Sequence, residues 1–284
     1  MLIDTQTRVI GIIGNPLKQT LSPWMHNLTL RKLGLNYVYL PFEVSRESLS
    51  QVIAAVRTLN IKGLNVTIPF KEAVIPLLDD LSAEARASGA VNVICNDQGR
   101  LIGYNTDGRG FVASLAEKEI ALRGRVLFIG AGGATRSVAY ELACAGVTHI
   151  DFLDLDEKKA IEMASFIGSP DCSAAGHRMT SDNFTNLGHR ADIIINASPV
   201  GMFPHTEQAP VASLDCVRDD TVICDLIYNP LNTRFLLMGQ SRGLKTVSGV
   251  SMFVYQGAYT LEILTGVKPP VDFMKEVVLH KLKA

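Results

Sequence analysis

The sequence predicts an α/β protein of two domains that ends in two helices. Apolar, β-branched runs alternate with helical patterns along most of the 284 residues, and this alternation is typical of parallel βαβ units. One such run, 126–129, ends in a glycine cluster and continues into a helical pattern. The chain is also long enough for two ordinary domains, each with its own core.

Composition and charge exclude several classes of protein. Hydrophobic residues make up 47% of the chain and charged residues 19%, which is typical of a soluble globular enzyme rather than a disordered chain. The net charge is −1 and no basic run stands out, so we expect a small-molecule ligand rather than nucleic acid or a membrane surface. No apolar run approaches the roughly 18 residues of a membrane span, and no signal-peptide pattern is found. The five cysteines show no C-x-x-C spacing, which favours reduced thiols in a cytoplasmic protein.

The first hundred residues are predicted to form one α/β unit. Predicted strands cover 8–13, 37–44 and 63–68, followed by a hairpin of 91–95 and 100–104 around the turn-forming residues 96–99. Ser22 is predicted as the N-cap of the first helix, with Pro23 at its first position. Ser45 is predicted to cap a second helix that carries an apolar face.

From residue 125 onward the alternation becomes regular. Predicted strands cover 125–129, 148–153, 191–195, 221–225 and 245–247, and predicted helices cover 133–145, 156–167, 250–264 and 271–282. The polar segment 169–188 predicts no definite element. We expect the last two helices to pack back on the first domain.

The glycine cluster predicts a dinucleotide site. Gly130-Ala131-Gly132-Gly133-Ala134 lies between a predicted strand and a predicted helix, which is the context of the dinucleotide fingerprint in a Rossmann-type domain. The first glycine permits the tight turn, the second lets the backbone approach a pyrophosphate, and the helix N-terminus favours an anion. Thr135 stands where the strict motif has its third glycine. By itself the cluster is weak, because any tight strand-to-helix turn favours glycine.

An acidic residue at the end of the next strand strengthens this prediction. Asp154 lies 24 positions after Gly130, where a carboxylate typically accepts hydrogen bonds from the adenine ribose of NAD. A carboxylate also repels the 2′-phosphate of NADP, so the sequence favours NAD. Two alternatives stay open: Asp154 or Asp156 caps the following helix, and Lys158 and Lys159 leave room for NADP.

Polar residues at two strand ends predict a reaction site. Asn65, Thr67 and Lys71 lie at and just beyond the C-terminal end of a predicted strand, the edge where open α/β sheets bind ligands. Lysine there can act as a general acid or base if its surroundings lower its pKa or a carboxylate orients it, but the spacing alone favours a solvated surface lysine at the start of a helix. Asp107 follows a second such strand end and can also be a helix cap.

Two hydroxyl groups near the N-terminus predict an anion site. Thr20 and Ser22 precede the first predicted helix and can donate hydrogen bonds to an anionic ligand. The alternative is that Ser22 serves only as the cap of its helix.

The order of these motifs resembles the shikimate/quinate dehydrogenase family. The matching blocks are 14–16 with 21–27, 65–71, 89–92, 104–108, 130–134, 196–202, 225–230 and 249–256. Together they extend along nearly the whole chain. The resemblance implies an oxidoreductase that interconverts shikimate and 3-dehydroshikimate, or quinate and its 3-dehydro form, by hydride transfer to a nicotinamide.

The resemblance also implies roles for individual residues. Lys71 and Asp107 match the catalytic pair: the lysine takes the substrate hydroxyl proton, while the aspartate bonds the ammonium and that hydroxyl. Among the substrate-binding positions, Thr20 and Ser22 match the carboxylate pair, and those matching the ring hydroxyl ligands are Asn65, Thr67, Asn92 and Gln256. Tyr228 and Gly249 match residues that line the nicotinamide side of the cleft. Tyr228 is also expected among the substrate-binding residues. The other expected cofactor positions are Gly130, Ala131, Gly132, Gly133, Ala134, Asp154, Asp156, Ala197, Ser198 and Met202.

The chain departs from the family pattern at two places. Thr20 replaces the serine common in shikimate-specific members, so the choice between shikimate and quinate stays open. Asp154-Leu155-Asp156 replaces the Asn-Arg-Thr typical of NADP-using members, which again favours NAD.

The combined prediction has a substrate-binding catalytic domain and a Rossmann-type NAD(P) domain. The first covers residues 1–107 and is completed by the C-terminal helices at about 250–284, and the second covers 108–249. We expect NAD as cofactor with NADP as the alternative, no metal, and a monomer or homodimer. A ligand-sensing homologue without catalysis is a further alternative, which the presence of Lys71 and Asp107 disfavours.

Overall fold

The computed structural model describes residues 3–283, which form two units. The first unit holds the chain up to Asp107 together with the chain from Val254 onward, and the second holds Gly108–Phe253. Residues 1, 2 and 284, which belong to the predicted first domain, lie outside the described residues. Among the helices of residues 3–283, none is both long enough and apolar enough to span a bilayer.

The first unit contains a mixed six-stranded sheet. Its strands are β1 (Arg8–Gly14), β2 (Tyr37–Glu43), β3 (Gly63–Val66), β4 (Asp80–Leu81), β5 (Val93–Asp97) and β6 (Arg100–Tyr104). Its helices are α1 (Ser22–Lys32), α2 (Leu49–Thr58), α3 (Ala83–Ser88) and a 3-10 turn at Ile75–Leu77. The strand order is β2-β1-β3-β5-β6-β4, and β5 alone runs antiparallel to its neighbours.

The direction of β5 gathers polar residues at one edge of this sheet. Asn65 of β3 pairs with Val93, the first residue of β5, and Val93 pairs with Tyr104, the last residue of β6. The start of β5 therefore lies beside the ends of β3 and β6. Residues that precede β5 or follow β3 and β6 are brought to the same edge.

The second unit contains a parallel six-stranded sheet. Its elements are α4 (Asp107–Ala116), β7 (Arg125–Ile129), α5 (Gly133–Cys144), β8 (His149–Asp154), α6 (Glu157–Ile167), β9 (Ser173–Arg178), α7 (Ser181–Gly188), β10 (Ile193–Asn196), β11 (Val222–Asp225), α8 (Arg234–Ser241) and β12 (Thr246–Val247), with α4 starting at the last residue of the first unit. The strand order β12-β11-β10-β7-β8-β9 is the order of a doubly wound Rossmann sheet. Its topological switch point, where ligands typically bind, lies between β7 and β10.

The chain ends in α9 (Gly249–Thr265) and α10 (Val271–Lys283). Within the first unit α10 packs against α1, where Lys281 Nζ lies 5.2 Å from the ring centroid of Trp24. The predicted fold class, an α/β protein with a Rossmann-type sheet and C-terminal helices on the first α/β unit, is confirmed.

Three local predictions need correction. Leu21 rather than Ser22 is the N-cap of α1, and its backbone is already helical, so the helix begins at Ser22 without a side-chain cap. Ser48 rather than Ser45 precedes α2, because residues 45–48 close a turn through the Ser48 N–H and the Ser45 carbonyl at 3.2 Å. Strand β3 ends at Val66, two residues early, because a turn begins there with the Phe70 N–H donating to the Thr67 carbonyl.

Candidate active site

A buried ion pair lies at the polar edge of the first sheet. Lys71 Nζ is 2.5 Å from Asp107 Oδ2, and only 17% and 8% of the two side chains are exposed. Lys71 follows the turn after β3, and Asp107 is the first residue of α4 after β6. The two residues are 36 positions apart in sequence and meet because β3 and β6 end at the same edge.

Asn92 holds the carboxylate of this pair in place. Its Nδ2 donates to Asp107 Oδ1 at 2.8 Å and to Thr106 Oγ1 at 2.9 Å, while its Oδ1 accepts from the Thr106 N–H at 2.8 Å. Asn105 Oδ1 also accepts from the Asp107 N–H at 3.0 Å. Both oxygens of Asp107 are therefore bonded, one by a cation and one by an amide.

A chain of hydrogen bonds joins three of the predicted substrate-binding residues. Thr20 Oγ1 donates to Ser22 Oγ at 3.2 Å. The Tyr39 hydroxyl hydrogen bonds with Ser22 and donates to Asn65 Oδ1 at 2.7 Å. Asn65 Nδ2 in turn donates to Thr260 Oγ1 at 3.1 Å. The orientation of the Asn65 amide is thereby fixed.

Tyr39 is a residue of this cluster that the sequence analysis missed. It is 1% exposed, and its ring stacks on that of His26 with centroids 4.4 Å apart. Burial raises the pKa of Tyr39 well above its usual value and lowers the pKa of His26 to about 3, so both are uncharged near neutral pH. The available signal was the alternation of β2, which buries a tyrosine whose hydroxyl then needs a partner.

Thr67 and Gln256 lie beside the same cluster. Thr67 is half-buried immediately after β3, where its N–H donates to the Ile13 carbonyl at 3.0 Å. The Gln256 main-chain carbonyl on α9 accepts from Thr106 Oγ1 at 3.1 Å and from Thr260 Oγ1 at 3.0 Å. The structure thus brings both residues to the edge that holds Lys71 and Asp107.

The glycine-rich turn of the second unit leaves its backbone open at the start of α5. Gly130 has φ of +104°, and a Cβ there would lie 2.9 Å from the Ser198 nitrogen, so only glycine fits. A Cβ on Gly132 or Gly133 would meet nothing within 4 Å, which leaves the backbone open to a ligand. Next to them, at the start of α5, lies Ala134, and a helix N-terminus favours an anion.

Thr135, at the position of the missing third glycine, stabilises this turn. Its hydroxyl donates to the Gly130 carbonyl at 2.8 Å and accepts from the Gly132 N–H at 3.2 Å. The threonine is fully buried, so it stabilises the turn without occupying the open side of its backbone.

The acidic residues after β8 bond to the backbone around this turn. Asp154 Oδ2 accepts from the Ala131 N–H at 2.8 Å, and its Oδ1 accepts from the Asp156 N–H at 2.9 Å. Asp156 is the N-cap of α6 and accepts from the Lys158 N–H at 3.1 Å. Between them, Leu155 is 80% exposed. The cap role therefore belongs to Asp156, and Asp154 links the glycine turn to the end of β8.

The remaining cofactor candidates lie on loops that follow β10 and β11. Ala197 and Ser198 come directly after β10 and pack against Gly130, while Met202 is exposed four residues later. After β11, Tyr228 stacks on Phe253 with centroids 4.4 Å apart. Gly249 begins α9, and a Cβ there would lie 2.4 Å from the Leu226 carbonyl oxygen, so a larger residue would displace that loop.

No metal centre accompanies these sites in the described residues. Across 3–283, no group of three or more histidine, cysteine or acidic side chains is arranged to hold a metal ion. All five cysteines are free thiols, and Cys95, Cys172 and Cys224 are buried.

Two family models match the chain. The shikimate dehydrogenase substrate binding domain matches residues 12–94, and the shikimate 5′-dehydrogenase C-terminal domain matches residues 249–279. The first match covers β3 with Asn65, and it also includes Lys71 and Asn92. The second covers α9 with Gln256, and most of α10.

Individual proteins match over nearly their full length. The shikimate dehydrogenase (NADP(+)) of Syntrophomonas wolfei is 56% identical over 100% of this chain and 98% of its own. The crystal structure of shikimate 5-dehydrogenase from Listeria monocytogenes, in complex with shikimate and NAD, has a TM-score of 0.91 and 35% identity, covering 97% of this chain and 98% of that one. The quinate dehydrogenase of Corynebacterium glutamicum in complex with NAD has a TM-score of 0.88 and 31% identity, covering 96% and 99%.

Proposed function

We propose that this chain, which belongs to the shikimate dehydrogenase family, uses Lys71 and Asp107 to interconvert shikimate and 3-dehydroshikimate with a nicotinamide dinucleotide. The enzyme class and the dinucleotide follow from the family. The observation that carries the residue assignment is the ion pair between Lys71 Nζ and Asp107 Oδ2, 2.5 Å long and largely buried. It lies at a sheet edge with polar side chains suited to a polyhydroxylated ring.

In this mechanism Lys71 moves the proton of the reacting hydroxyl. The bound nicotinamide supplies the hydride acceptor or donor. In the oxidation direction Lys71 Nζ first releases the proton that it carries in the ion pair and then takes the hydroxyl proton as the C–H bond breaks, and in reduction the ammonium donates its proton to the forming hydroxyl. Asp107 orients Nζ and stabilises the ammonium once it forms. Asn92 holds the other carboxylate oxygen at 2.8 Å, so Asp107 cannot turn away.

The cluster around Ser22 and Asn65 would bind the rest of the substrate. The hydroxyls of Thr20 and Ser22, 3.2 Å apart, can donate to the two oxygens of a carboxylate once Thr20 gives up its bond to Ser22 and Ser22 gives up its bond to Tyr39. Asn65 and Thr67 lie closer to Lys71 in the chain and would bond ring hydroxyls. We assign Gln256 to the same ring, because its backbone is tied to Thr106 beside Asp107.

For the cofactor we propose NAD in preference to NADP. Two carboxylates, Asp154 and Asp156, follow β8, where we expect the adenine ribose to bind, and the residue between them is an exposed leucine. The name of the Syntrophomonas relative favours NADP instead. The cations that NADP would then use are Lys158, Lys159 and Arg178, the register partner of Asp154 on β9.

The substrate choice rests on Thr20. Its methyl group adds bulk beside the expected carboxylate site, and the similarity to a quinate dehydrogenase makes quinate the second substrate to test. Shikimate remains the first because the family models and the relative of highest identity given above carry its name.

Initial rates with shikimate and quinate, each with NAD and with NADP, test the whole proposal. We expect the highest kcat/KM for shikimate with NAD, and the Lys71→Ala protein supplies the matched blank. Higher kcat/KM with NADP for both substrates would overturn the cofactor choice. A folded protein that turns over neither substrate with either dinucleotide would overturn the enzyme assignment.

A further inference from the structure

We propose that Asn196 and Asp225 act together as a positioning pair that shapes both loops lining the dinucleotide, an inference that rests on the proposed cofactor. Neither residue belongs to the predicted sites. Asn196 is the last residue of β10 and Asp225 the last residue of β11, and the two are register partners in the parallel sheet. They are 0% and 1% exposed, so their bonds are made within the protein.

The pair is joined by a shared hydrogen bond. Asn196 Nδ2 lies 3.2 Å from Asp225 Oδ1 and 3.2 Å from Asp225 Oδ2. The same nitrogen also donates to the Val200 carbonyl at 3.2 Å. A charged acceptor strengthens the bond, and the shared geometry fixes which end of the amide faces the carboxylate. Asn196 Oδ1 must then point toward its own loop.

Asn196 holds the loop that follows β10. Its Oδ1 accepts from Ser198 Oγ at 2.7 Å and from the Ser198 N–H at 3.1 Å. Together with the bond to the Val200 carbonyl, these contacts hydrogen bond the Asn196 amide to two positions of the turn that carries Ala197 and Ser198. This turn packs against Gly130, so its position also affects the glycine-rich turn.

Asp225 holds the loop that follows β11 at both of its ends. Oδ1 accepts from the Ile227 N–H at 3.0 Å, and Oδ2 accepts from the Thr233 hydroxyl at 2.7 Å. Tyr228 lies between these anchors. The Ile227 carbonyl in turn accepts from the Gly249 N–H at 3.2 Å. Tyr228 and Gly249, the two residues expected beside the nicotinamide, are therefore tied to one carboxylate.

The positioning pair should therefore affect dinucleotide binding and not proton transfer. If the pair is disrupted, the loops around 198 and 228 lose their common anchor, and dinucleotide binding weakens because the loops must be ordered on binding. The proton-transfer residues Lys71 and Asp107 bond to other partners in the first unit. The expected defect is thus in dinucleotide affinity rather than in turnover at saturation, a split that loss of folded protein would not produce.

The experiment compares two variant pairs by isothermal titration calorimetry with NAD and with NADP at pH 8. Asp225→Asn removes the charge, and its control is Asp219→Asn, whose carboxylate is 94% exposed. Thr233→Val removes one hydroxyl while keeping the side-chain shape, and its control is Thr233→Ser, which keeps the hydroxyl. We expect Asp225→Asn and Thr233→Val to raise the dinucleotide Kd about tenfold, with both controls near the parent value.

Steady-state kinetics on the same proteins supply the second readout. The KM for the dinucleotide should rise with its Kd, while kcat at saturating dinucleotide stays within about threefold of the parent. A folded Asp225→Asn protein with parental Kd would overturn the pairing, and if that protein does not fold, equal Kd values for Thr233→Val and Thr233→Ser would do so. If the parent binds a dinucleotide but turns over no substrate, the proposed reaction fails while the Kd comparison still tests the positioning pair.

Discussion

Asp107 in the first unit and Asp225 in the second are both buried carboxylates near the end of a strand, and their partners differ. Asp107 in the first unit faces a cation, with Lys71 Nζ at 2.5 Å. Asp225 in the second unit accepts only from uncharged groups, namely Asn196, Ile227 and Thr233. Burial therefore raises the pKa of Asp225 to about 6 despite those hydrogen bonds.

This difference separates a carboxylate suited to assisting proton transfer from one suited to fixing the backbone around it. A carboxylate beside an amine can stabilise the ammonium that forms when a proton is taken up. A carboxylate surrounded by amide and hydroxyl donors has no proton-transfer partner and instead fixes the backbone that donates to it. We therefore expect changes in the first unit to alter turnover and changes in the second to alter binding or stability.

The largest effect that separates the two units is expected for Lys71→Ala. Loss of a general acid and base lowers kcat by about 1,000-fold, whereas dinucleotide affinity, which depends on the second unit, should stay near the parent value. Rates from the dehydrogenase assay and Kd from calorimetry give the two quantities. Lys118→Ala, a change of an exposed lysine, is the control. Turnover near the parent level would remove Lys71 from its assigned role.

The second contrast concerns the stability that Asp225 contributes as pH changes. Its folded-state pKa of about 6 lies above the ordinary value of 3.8, so the folded protein binds more protons than the unfolded one between these values. The contribution of this group to stability is thus fully present below pH 4 and is lost as pH rises through 6. As pH rises over this range, the free energy of unfolding of the parent should fall by at most about 3 kcal/mol relative to that of Asp225→Asn.

Urea unfolding of both proteins at several pH values between 4 and 8 measures this difference. A difference in the free energy of unfolding that does not change with pH would mean that Asp225 titrates alike in the folded and unfolded states. Asp219→Asn, at an exposed carboxylate, provides the surface comparison.

Only part of the candidate site in the first unit could be predicted from the sequence. Lys71 and Asp107 follow strand ends in recognisable motifs, and the predicted hairpin of 91–95 and 100–104 already implied that one strand runs antiparallel. The contact between Asn92 and Asp107 could not be derived, because it depends on the register between β5 and β6. The role of Tyr39 was missed for the same reason, since its partner Asn65 lies on β3, two strands away in the sheet order.

In the second unit, the glycine turn and the regular alternation were enough to predict the Rossmann-type sheet. The polar segment 169–188 predicts no definite element, although it forms β9 and α7. β9 is an edge strand whose middle residues are all half-buried, so it lacks the apolar alternation that identifies a strand. Gly176 at its centre lies against the Ala160 backbone, where a Cβ would come within 2.2 Å, a close approach that the sequence does not reveal.

A smaller effect within the first unit is expected for Asn92→Ala. The change removes the donor that holds Asp107 Oδ1 at 2.8 Å, a bond to a charged group worth roughly 1.5–3 kcal/mol. We expect kcat/KM for shikimate to fall about 10- to 100-fold while dinucleotide Kd is kept. Asn36→Ala, which alters an exposed network with Asp4, is the control. A decrease in dinucleotide affinity as large as that in kcat/KM would contradict the separation of the two units.

The smallest effect tests which dinucleotide the second unit prefers. Asp154→Asn keeps the shape of the side chain next to Ala131 and removes the charge expected to accept from the ribose hydroxyls and to repel a 2′-phosphate. We expect the ratio of kcat/KM for NAD to that for NADP to fall about tenfold, while Asp171→Asn, at an exposed loop position, leaves the ratio unchanged. Arg178→Ala separates the alternatives further: a selective loss with NADP would show that this arginine, paired in register with Asp154, binds the 2′-phosphate. Equal losses with both dinucleotides for Asp154→Asn would limit Asp154 to bracing the glycine turn through the Ala131 N–H.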